Sequence, residues 1–177
     1  MLLHAPAILD NARTPVRSGS AFRVDSPAGH ALVTPELAEE LQRVLERFAV
    51  EAGASDRQPV KVFFKPGIFG HHQIGRAADI YAVNGLGLDH WKRRWDEALQ
   101  RVPRAATPLE RRLIVEKEEK ENLGWRLYKA LEKYGRWAQP YGYPIQLFGP
   151  WTRTEGPCKQ ISDFLLRAHR DHIHIAK

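Results

Sequence analysis

Apolar residues recur at steps of three and four in three stretches of this chain, at residues 34–53, 88–103 and 107–137. This spacing places the apolar side chains along one face of an α-helix. The third stretch opens with Thr107 and, three residues later, Glu110, which together form the signature of a capping box. The pattern therefore predicts three helices.

Four short runs of β-branched, aromatic and other apolar residues lie outside these stretches, at residues 60–64, 77–83, 145–148 and 173–176. Pro, Gly or Asn residues follow the first two runs, as is usual where strands end. The runs are short and do not alternate steadily with helices, which favours an antiparallel sheet over parallel βαβ units. We expect an α+β fold in which a small antiparallel sheet has flanking helices.

Residues 1–33 show no sustained apolar period and contain several Pro and Gly residues. They predict an irregular N-terminal lead-in with one short strand at residues 21–24. Residues 34–177 are expected to form a single domain, which agrees with the total length of 177 residues. The charged stretch 116–122 is polar on all sides and predicts a solvated part of the third helix.

Leu, Ile, Val and Phe make up about a quarter of the chain, which is enough for a hydrophobic core. No apolar run approaches the roughly 18 residues that cross a bilayer, so we expect no membrane span. The N-terminus lacks the basic start and apolar stretch of a secretory signal. We therefore expect synthesis in the cytoplasm, with release or non-classical export if the protein acts outside the cell.

The formal net charge of +6 favours an anionic partner, such as nucleic acid, a membrane surface or a polyanionic cell wall. Because the basic residues are scattered, nucleic acid is the weaker of these predictions. The single cysteine, Cys158, excludes an intramolecular disulfide and a zinc site with several cysteines. Any metal ion must therefore be held by His and carboxylate ligands.

Five of the eight histidines fall in two short windows. The first contains His72 before a predicted strand that includes Asp79, and the second contains His172 and His174 at another strand. Residues two apart on a strand point to the same side, so His172 and His174 share a face while the intervening isoleucine points into the core. Two imidazoles and one carboxylate leave a tetrahedral zinc ion one open position, as in catalytic sites.

The pattern His-x-x-Gly-x-Ala-x-Asp at residues 72–79, followed by His-x-His at residues 172–174, resembles the LAS metallopeptidases. This family includes D-Ala-D-Ala carboxypeptidases, murein endopeptidases and phage L-alanyl-D-glutamate endolysins, and the hedgehog signalling domain shares its zinc site. The resemblance covers residues 60–83 and 145–176. It implies an activity on peptide bonds of peptidoglycan stem peptides or cross-links.

The resemblance also implies roles for individual residues. It implies that His72, Asp79 and His174 hold one Zn²⁺ per chain. Zinc in such a site lowers the pKa of bound water to about 7 and polarises the scissile carbonyl. The resemblance further implies that Asp171 is the general base and that His172 stabilises or shuttles charge. Because residues 171 and 174 of one strand would face opposite sides, Asp171 must lie on the turn before the strand.

Three further residues are predicted to contact the substrate. Lys65 at a strand end and Arg76 beside the first window carry positive charge that suits the carboxylates of cell-wall peptides. Trp151 lies on a predicted loop and is expected to line the cleft. Trp91, at helical spacing, is instead expected in the core.

Two other functions remain open at this point. A catalytically silent zinc-binding module of the same fold would keep the three ligands and lack turnover. A metal-dependent nuclease is suggested by the basic charge and by the Asp171-His172 pair, and it is the less favoured alternative. The oligomeric state and the bond that is cleaved are not determined by the sequence.

Overall fold

The structure is a computed structural model that describes residues 13–67, 70–105, 107–137, 147–152 and 163–177. In chain order its elements are β1 (Thr14–Pro15), β2 (Phe22–Val24), β3 (Leu32–Val33), α1 (Pro35–Glu51), β4 (Val60–Lys65), β5 (Ala77–Val83), β6 (Leu86–Gly87), α2 (Leu88–Arg101), α3 (Pro108–Glu121), α4 (Leu123–Tyr134), β7 (Leu147–Phe148), α5 (Asp163–Ala168) and β8 (Ile173–Ala176). Short 3₁₀ turns span Gly70–His72 and Val102–Arg104. None of the described helices is long and apolar enough to cross a membrane.

The main sheet has the strand order β2-β4-β5-β8-β7, and β6 pairs with β5. Neighbouring strands run antiparallel except β2 and β4, which run parallel. Strands β1 and β3 form a separate two-stranded antiparallel sheet. The α+β class is therefore confirmed, but the main sheet is mixed rather than wholly antiparallel. The difference arises because β2 returns through α1 to its partner β4, and such a crossover places the two strands in parallel.

The segment 13–33 is more regular than the predicted lead-in. It contains β1, β2 and β3, and Phe22 is fully buried in the same core as α1 and the main sheet. The Glu46 carboxylate of α1 accepts hydrogen bonds from the backbone N–H groups of Ser20 and Ala21, at 3.2 and 3.1 Å. These contacts lie between residues distant in sequence, so no local period in the segment revealed them.

The predicted third helix is divided into α3 and α4 at Asn122. The capping box at Thr107 is present as predicted. The Asn122 side chain accepts a hydrogen bond from Trp125 N–H at 2.9 Å and donates one to the Trp91 carbonyl oxygen at 2.8 Å. Asn122 thus caps α4 and joins it to α2, and its burial shows that the expectation of solvation is wrong at this residue.

Glu118 is the second buried polar residue in the stretch 116–122. Its two carboxylate oxygens accept from Nε of Arg94 on α2, at 3.0 and 3.1 Å. A buried carboxylate needs such a partner, because an unpaired charge in the protein interior is costly. The expectation of a solvated face is wrong here as well, since α3 packs this side against α2.

One face of the main sheet lies in the core. Val62, Phe64, Ile80, Ile173 and Ile175 are all fully buried on this face. Because side chains alternate between the two faces of a strand, the neighbours of these residues point to the opposite face. That opposite face carries both histidine windows.

Candidate metal centre

Strand register brings the two histidine windows together. Asp79 on β5 pairs with Lys65 on β4 and with His174 on β8. Directly paired residues point to the same side of a sheet, so these three side chains form one row across three strands. Ile80 and Ile173, the next pair along β5 and β8, are fully buried on the other face and fix the direction of the row.

His72 reaches this row from the 3₁₀ turn Gly70–His72. The chain then bends at Gly75, whose φ of 72° is unfavourable for residues with a side chain. Gly75 N–H donates to the His72 carbonyl oxygen at 3.0 Å, and the Gly75 carbonyl oxygen accepts from Thr34 N–H at 2.8 Å. The spacing between His72 and Asp79 therefore depends on a glycine at position 75, as the sequence motif requires.

The side chains of His72, Asp79 and His174 form a compact donor set. His72 Nε2 lies 3.3 Å from Asp79 Oδ2, and His174 Nδ1 lies 2.9 Å from Asp79 Oδ1. The two imidazole nitrogens, His72 Nε2 and His174 Nδ1, are 3.3 Å apart. One donor atom from each residue can be chosen so that all three lie within 4.8 Å of one another. The three predicted ligands are thus brought together.

The donor set could hold a metal ion. Ligand atoms at about 2.0–2.1 Å from a tetrahedral zinc ion lie about 3.3 Å from one another. The separation of 3.3 Å between His72 Nε2 and His174 Nδ1 equals this value, and the two nitrogens lie 3.3 and 2.9 Å from different oxygens of the Asp79 carboxylate. Within the described residues, the ion-pair partners of Asp79 are all histidines, so no Lys or Arg neutralises its carboxylate. Other divalent ions that accept imidazole and carboxylate ligands fit the same set.

The ionisation of Asp79 suits a metal ligand. Burial is the largest single influence and raises the pKa of its carboxyl group, but hydrogen bonds and charge interactions with His174 and His72 together outweigh it. The net pKa lies well below the ordinary value. Asp79 is therefore a carboxylate at neutral pH, which is the form that binds a cation.

Asp171 and His172 form a pair beside the donor set. Asp171 lies on the bend before β8, where the general-base prediction requires it, and its side chain is 54% exposed. His172 Nδ1 donates to Asp171 Oδ1 at 2.8 Å, and His172 Nε2 lies 3.9 Å from Asp79 Oδ1. The imidazole thus stands between the Asp171 carboxylate and the donor set.

Tyr81 is a site residue that the sequence reasoning missed. Phe63 of β4 pairs with Ala82, and the next residue, Phe64, pairs with Ile80, so Tyr81 is the extra residue of a β-bulge. Its ring stacks on His172 with centroids 4.6 Å apart and an interplanar angle of 15°. Burial, with smaller contributions from nearby carboxylates, raises the pKa of Tyr81 to about 12, so its hydroxyl stays protonated.

The remaining predicted substrate residues differ in position. Lys65 lies in the row of the donor set, with its ammonium nitrogen 4.2 Å from the Tyr81 ring centroid. Arg76 is exposed, and its Nε donates to the Lys177 carbonyl oxygen at 2.8 Å. Trp151 is buried in the hydrophobic core, where its ring centroid lies 6.0 Å from that of Tyr128. Trp151 therefore lies in the core and not in the predicted cleft.

Two further histidines lie near the site. His169 has its ring centroid 4.9 Å from that of His172 and 5.2 Å from that of His174, and its Nδ1 donates to the Leu165 carbonyl oxygen at 2.7 Å. Burial lowers the pKa of His169 to about 4, so it is neutral at pH 7. His71, next to His72, is exposed.

Comparisons with protein-family models, with curated proteins and with solved structures find no match for this chain. The chemical interpretation of the site therefore rests on its residues and their geometry. Those residues combine three metal-type donors with an adjacent carboxylate–imidazole pair on one face of a sheet.

Proposed function

We propose that this protein is a zinc-dependent peptidase with a fold of the LAS metallopeptidase type, and that it hydrolyses amide bonds in peptidoglycan stem peptides or cross-links. The observation that carries the proposal is the donor set of His72, Asp79 and His174 with the Asp171–His172 pair beside it. A zinc ion held by this set supplies a Lewis acid that activates water and polarises a carbonyl group.

The Asp171–His172 pair handles the proton. Asp171 accepts the hydrogen bond from Nδ1–H of His172, which leaves Nε2 as the basic atom on the side of the donor set. His172 takes the proton of the attacking water at Nε2 and passes it to the leaving amine. Asp171 orients the ring and stabilises the imidazolium. The geometry favours this shared role over a role in which the Asp171 carboxylate takes the proton directly.

Metal analysis and digestion of purified peptidoglycan, with the products identified by mass spectrometry, test the proposal on four proteins. The wild type is expected to hold one zinc ion per chain and to release muropeptide fragments. His174→Ala is expected to lose both properties. Asp171→Asn is expected to keep zinc and to lose about 10²–10⁴-fold in rate, because His172 loses the carboxylate that orients its ring and stabilises its imidazolium during proton transfer. His71→Ala changes an exposed histidine beside a ligand and is the matched control, so it should retain zinc and activity.

The outcomes separate the functions under consideration. Zinc in the wild type without any released fragment would replace the peptidase with a zinc-binding module. Loss of zinc from Asp171→Asn would assign this residue to the metal site instead of to proton transfer. A wild-type protein that takes up no zinc would contradict the proposal at its first step.

A further inference from the structure

A cavity of about 440 Å³ lies beside the Asp171–His172 pair, and its wall includes Asp171 and Tyr81. Lys61 and Lys65 of β4 also line it. They stand on the exposed side of a strand whose alternate residues are buried, and this is the side of the donor set. The cavity volume falls within the range of about 300–1,000 Å³ that small-molecule sites span.

Charges of both signs line this cavity. The two cationic residues come from β4, and the carboxylates come from three other places: Asp25 after β2, Asp89 in the first turn of α2, and Asp171 before β8. Within the described residues, neither lysine forms an ion pair, and neither Asp25 nor Asp89 does. Opposite charges therefore face one cavity without forming ion pairs with one another.

The arrangement holds at least one of these charges in place. The Lys65 ammonium rests over the Tyr81 ring, and the same ring stacks on His172. Cation–π contact restricts a lysine that would otherwise move freely in water. The cation is thereby kept next to the Asp171–His172 pair, where it can meet a group on a bound ligand.

A ligand with one kind of charge would pair with some of these residues and be repelled by the others. A ligand with an ammonium and a carboxylate group on the same end can pair with both sets. We infer that the cavity binds a residue whose free end carries both an ammonium and a carboxylate group, as in the side chain of a diamino dicarboxylic acid. The lysines receive the carboxylate, and the aspartates receive the ammonium group.

This inference rests on the proposed function in one respect, which is the place of the residue in the substrate. Since Asp171 belongs to the cavity wall and to the proton-handling pair, the bound residue lies next to the scissile amide bond. The substrate class is then a stem peptide with a zwitterionic diamino dicarboxylic residue. A stem peptide that carries lysine at that place, with an ammonium group alone, would bind less tightly.

Titration calorimetry of the zinc-loaded wild type with three single-residue probes tests the inference. Each probe is Nα-acetylated and amidated at its main-chain carboxyl. The side chain ends in a free amino acid group in the diaminopimelate probe, in an ammonium group alone in the lysine probe, and in a carboxylate alone in the aminopimelate probe. We expect the diaminopimelate probe to bind about tenfold more tightly than either of the others, as befits one additional charge-assisted contact.

Paired variants assign the two ends of the probe. The double substitution Lys61→Met with Lys65→Met should weaken the diaminopimelate probe about tenfold and should not weaken the lysine probe, which loses only repulsion from the two ammonium groups. Asp25→Asn with Asp89→Asn should weaken the diaminopimelate and lysine probes and should not weaken the aminopimelate probe, which loses only repulsion from the two carboxylates. Lys117→Met and Asp56→Asn remove exposed charges outside the cavity lining and are the matched controls.

Equal affinity of the wild type for all three probes would overturn the inference, and so would a lysine double variant that binds the diaminopimelate probe as tightly as the wild type. Peptidoglycan digestion by the same wild-type preparation is scored separately. Selective binding without digestion would support the cavity assignment and reject the peptidase. Digestion without selective binding would reject the cavity assignment alone.

Discussion

Glu118 in the helical layer and Asp79 on the sheet are both buried carboxylates, and their partners differ in kind. Glu118 accepts hydrogen bonds from the guanidinium group of Arg94, which keeps its positive charge at any accessible pH. Asp79 contacts the imidazoles of His174 and His72. A neutral imidazole offers a lone pair to a metal ion, which a guanidinium group cannot do.

The two regions also differ in whether their polar groups already have partners within the protein. Arg94 reaches Glu121 as well as Glu118, and Asn122 nearby uses both ends of its amide in hydrogen bonds. These polar groups have hydrogen-bond partners within the helical layer, and the bonds hold α2 against α3 and α4. In the donor set around Asp79, by contrast, three groups that bind cations meet without a permanent cation among the described residues. The comparison suggests that the helical network serves packing, whereas the donor set is ready for a ligand.

Zinc dependence of stability is the largest effect expected from this comparison. A ligand that binds only the folded state stabilises it by about 4 kcal/mol at a thousand times its Kd. We expect an increase of this size when zinc is added to the chelator-treated wild type, measured by denaturant unfolding. Asp79→Asn removes the charged ligand and should gain almost nothing from zinc. An equal gain in stability in this variant would place the stabilising ion elsewhere and reject the donor set as the zinc site.

The sequence predicts the donor set well because each ligand has a strong local signal. Ile173 and Ile175 alternate with His172 and His174 at the start of β8 and fix which way these histidines face. Gly75 marks the bend that separates His72 from Asp79. These signals depend on neighbours within a few residues, which a single sequence displays directly.

The features that the sequence did not reveal depend on residues far apart in the chain. The parallel pairing of β2 with β4 and the bulge at Tyr81 follow from strand register, which no local period encodes. The sequence alone predicts Asn122 as a surface residue, because its hydrogen-bond partner, the Trp91 carbonyl oxygen, lies on another helix. Trp151 is likewise predicted to line the cleft, because the aromatic residues of α4 that contact it are distant in sequence.

Substitution of Arg94 tests the helical side of the comparison. Removing one partner of a buried ion pair costs about 3–5 kcal/mol because the other charge is left unpaired. Since a third of the Arg94 side chain is exposed and solvent screens part of this cost, we expect Arg94→Met to lose about 2–3 kcal/mol in the free energy of unfolding. The exposed neighbour Arg93→Met is the control and should change by less than about 0.5 kcal/mol. Reduced zinc affinity in Arg94→Met would show that the two regions are coupled.

Glu40 on α1 is a third buried carboxylate, and like Glu118 it is paired with an arginine. It accepts hydrogen bonds from Arg43 Nη2 at 2.7 Å and from the backbone N–H of Arg136 at 2.6 Å. Burial raises the pKa of Glu40, but these hydrogen bonds and the charges of Arg43 and Lys177 outweigh it, and the net pKa is lowered.

A lowered pKa in the folded state means that ionised Glu40 stabilises the fold above the unfolded-state pKa of about 4.3, and that this stabilisation is lost as the pH falls through the folded-state pKa. We therefore expect the wild type to lose more stability than Glu40→Gln between about pH 6 and pH 3, in denaturant unfolding at both values. This is the smallest of the three effects. Glu39→Gln removes one exposed negative charge from the same helix and is the control for net charge. Zinc binding by Glu40→Gln should equal that of the wild type, because a carboxylate paired with arginine belongs to the packing of the fold. Weakened zinc binding in this variant would show that pairing with arginine does not distinguish packing carboxylates from metal-binding ones.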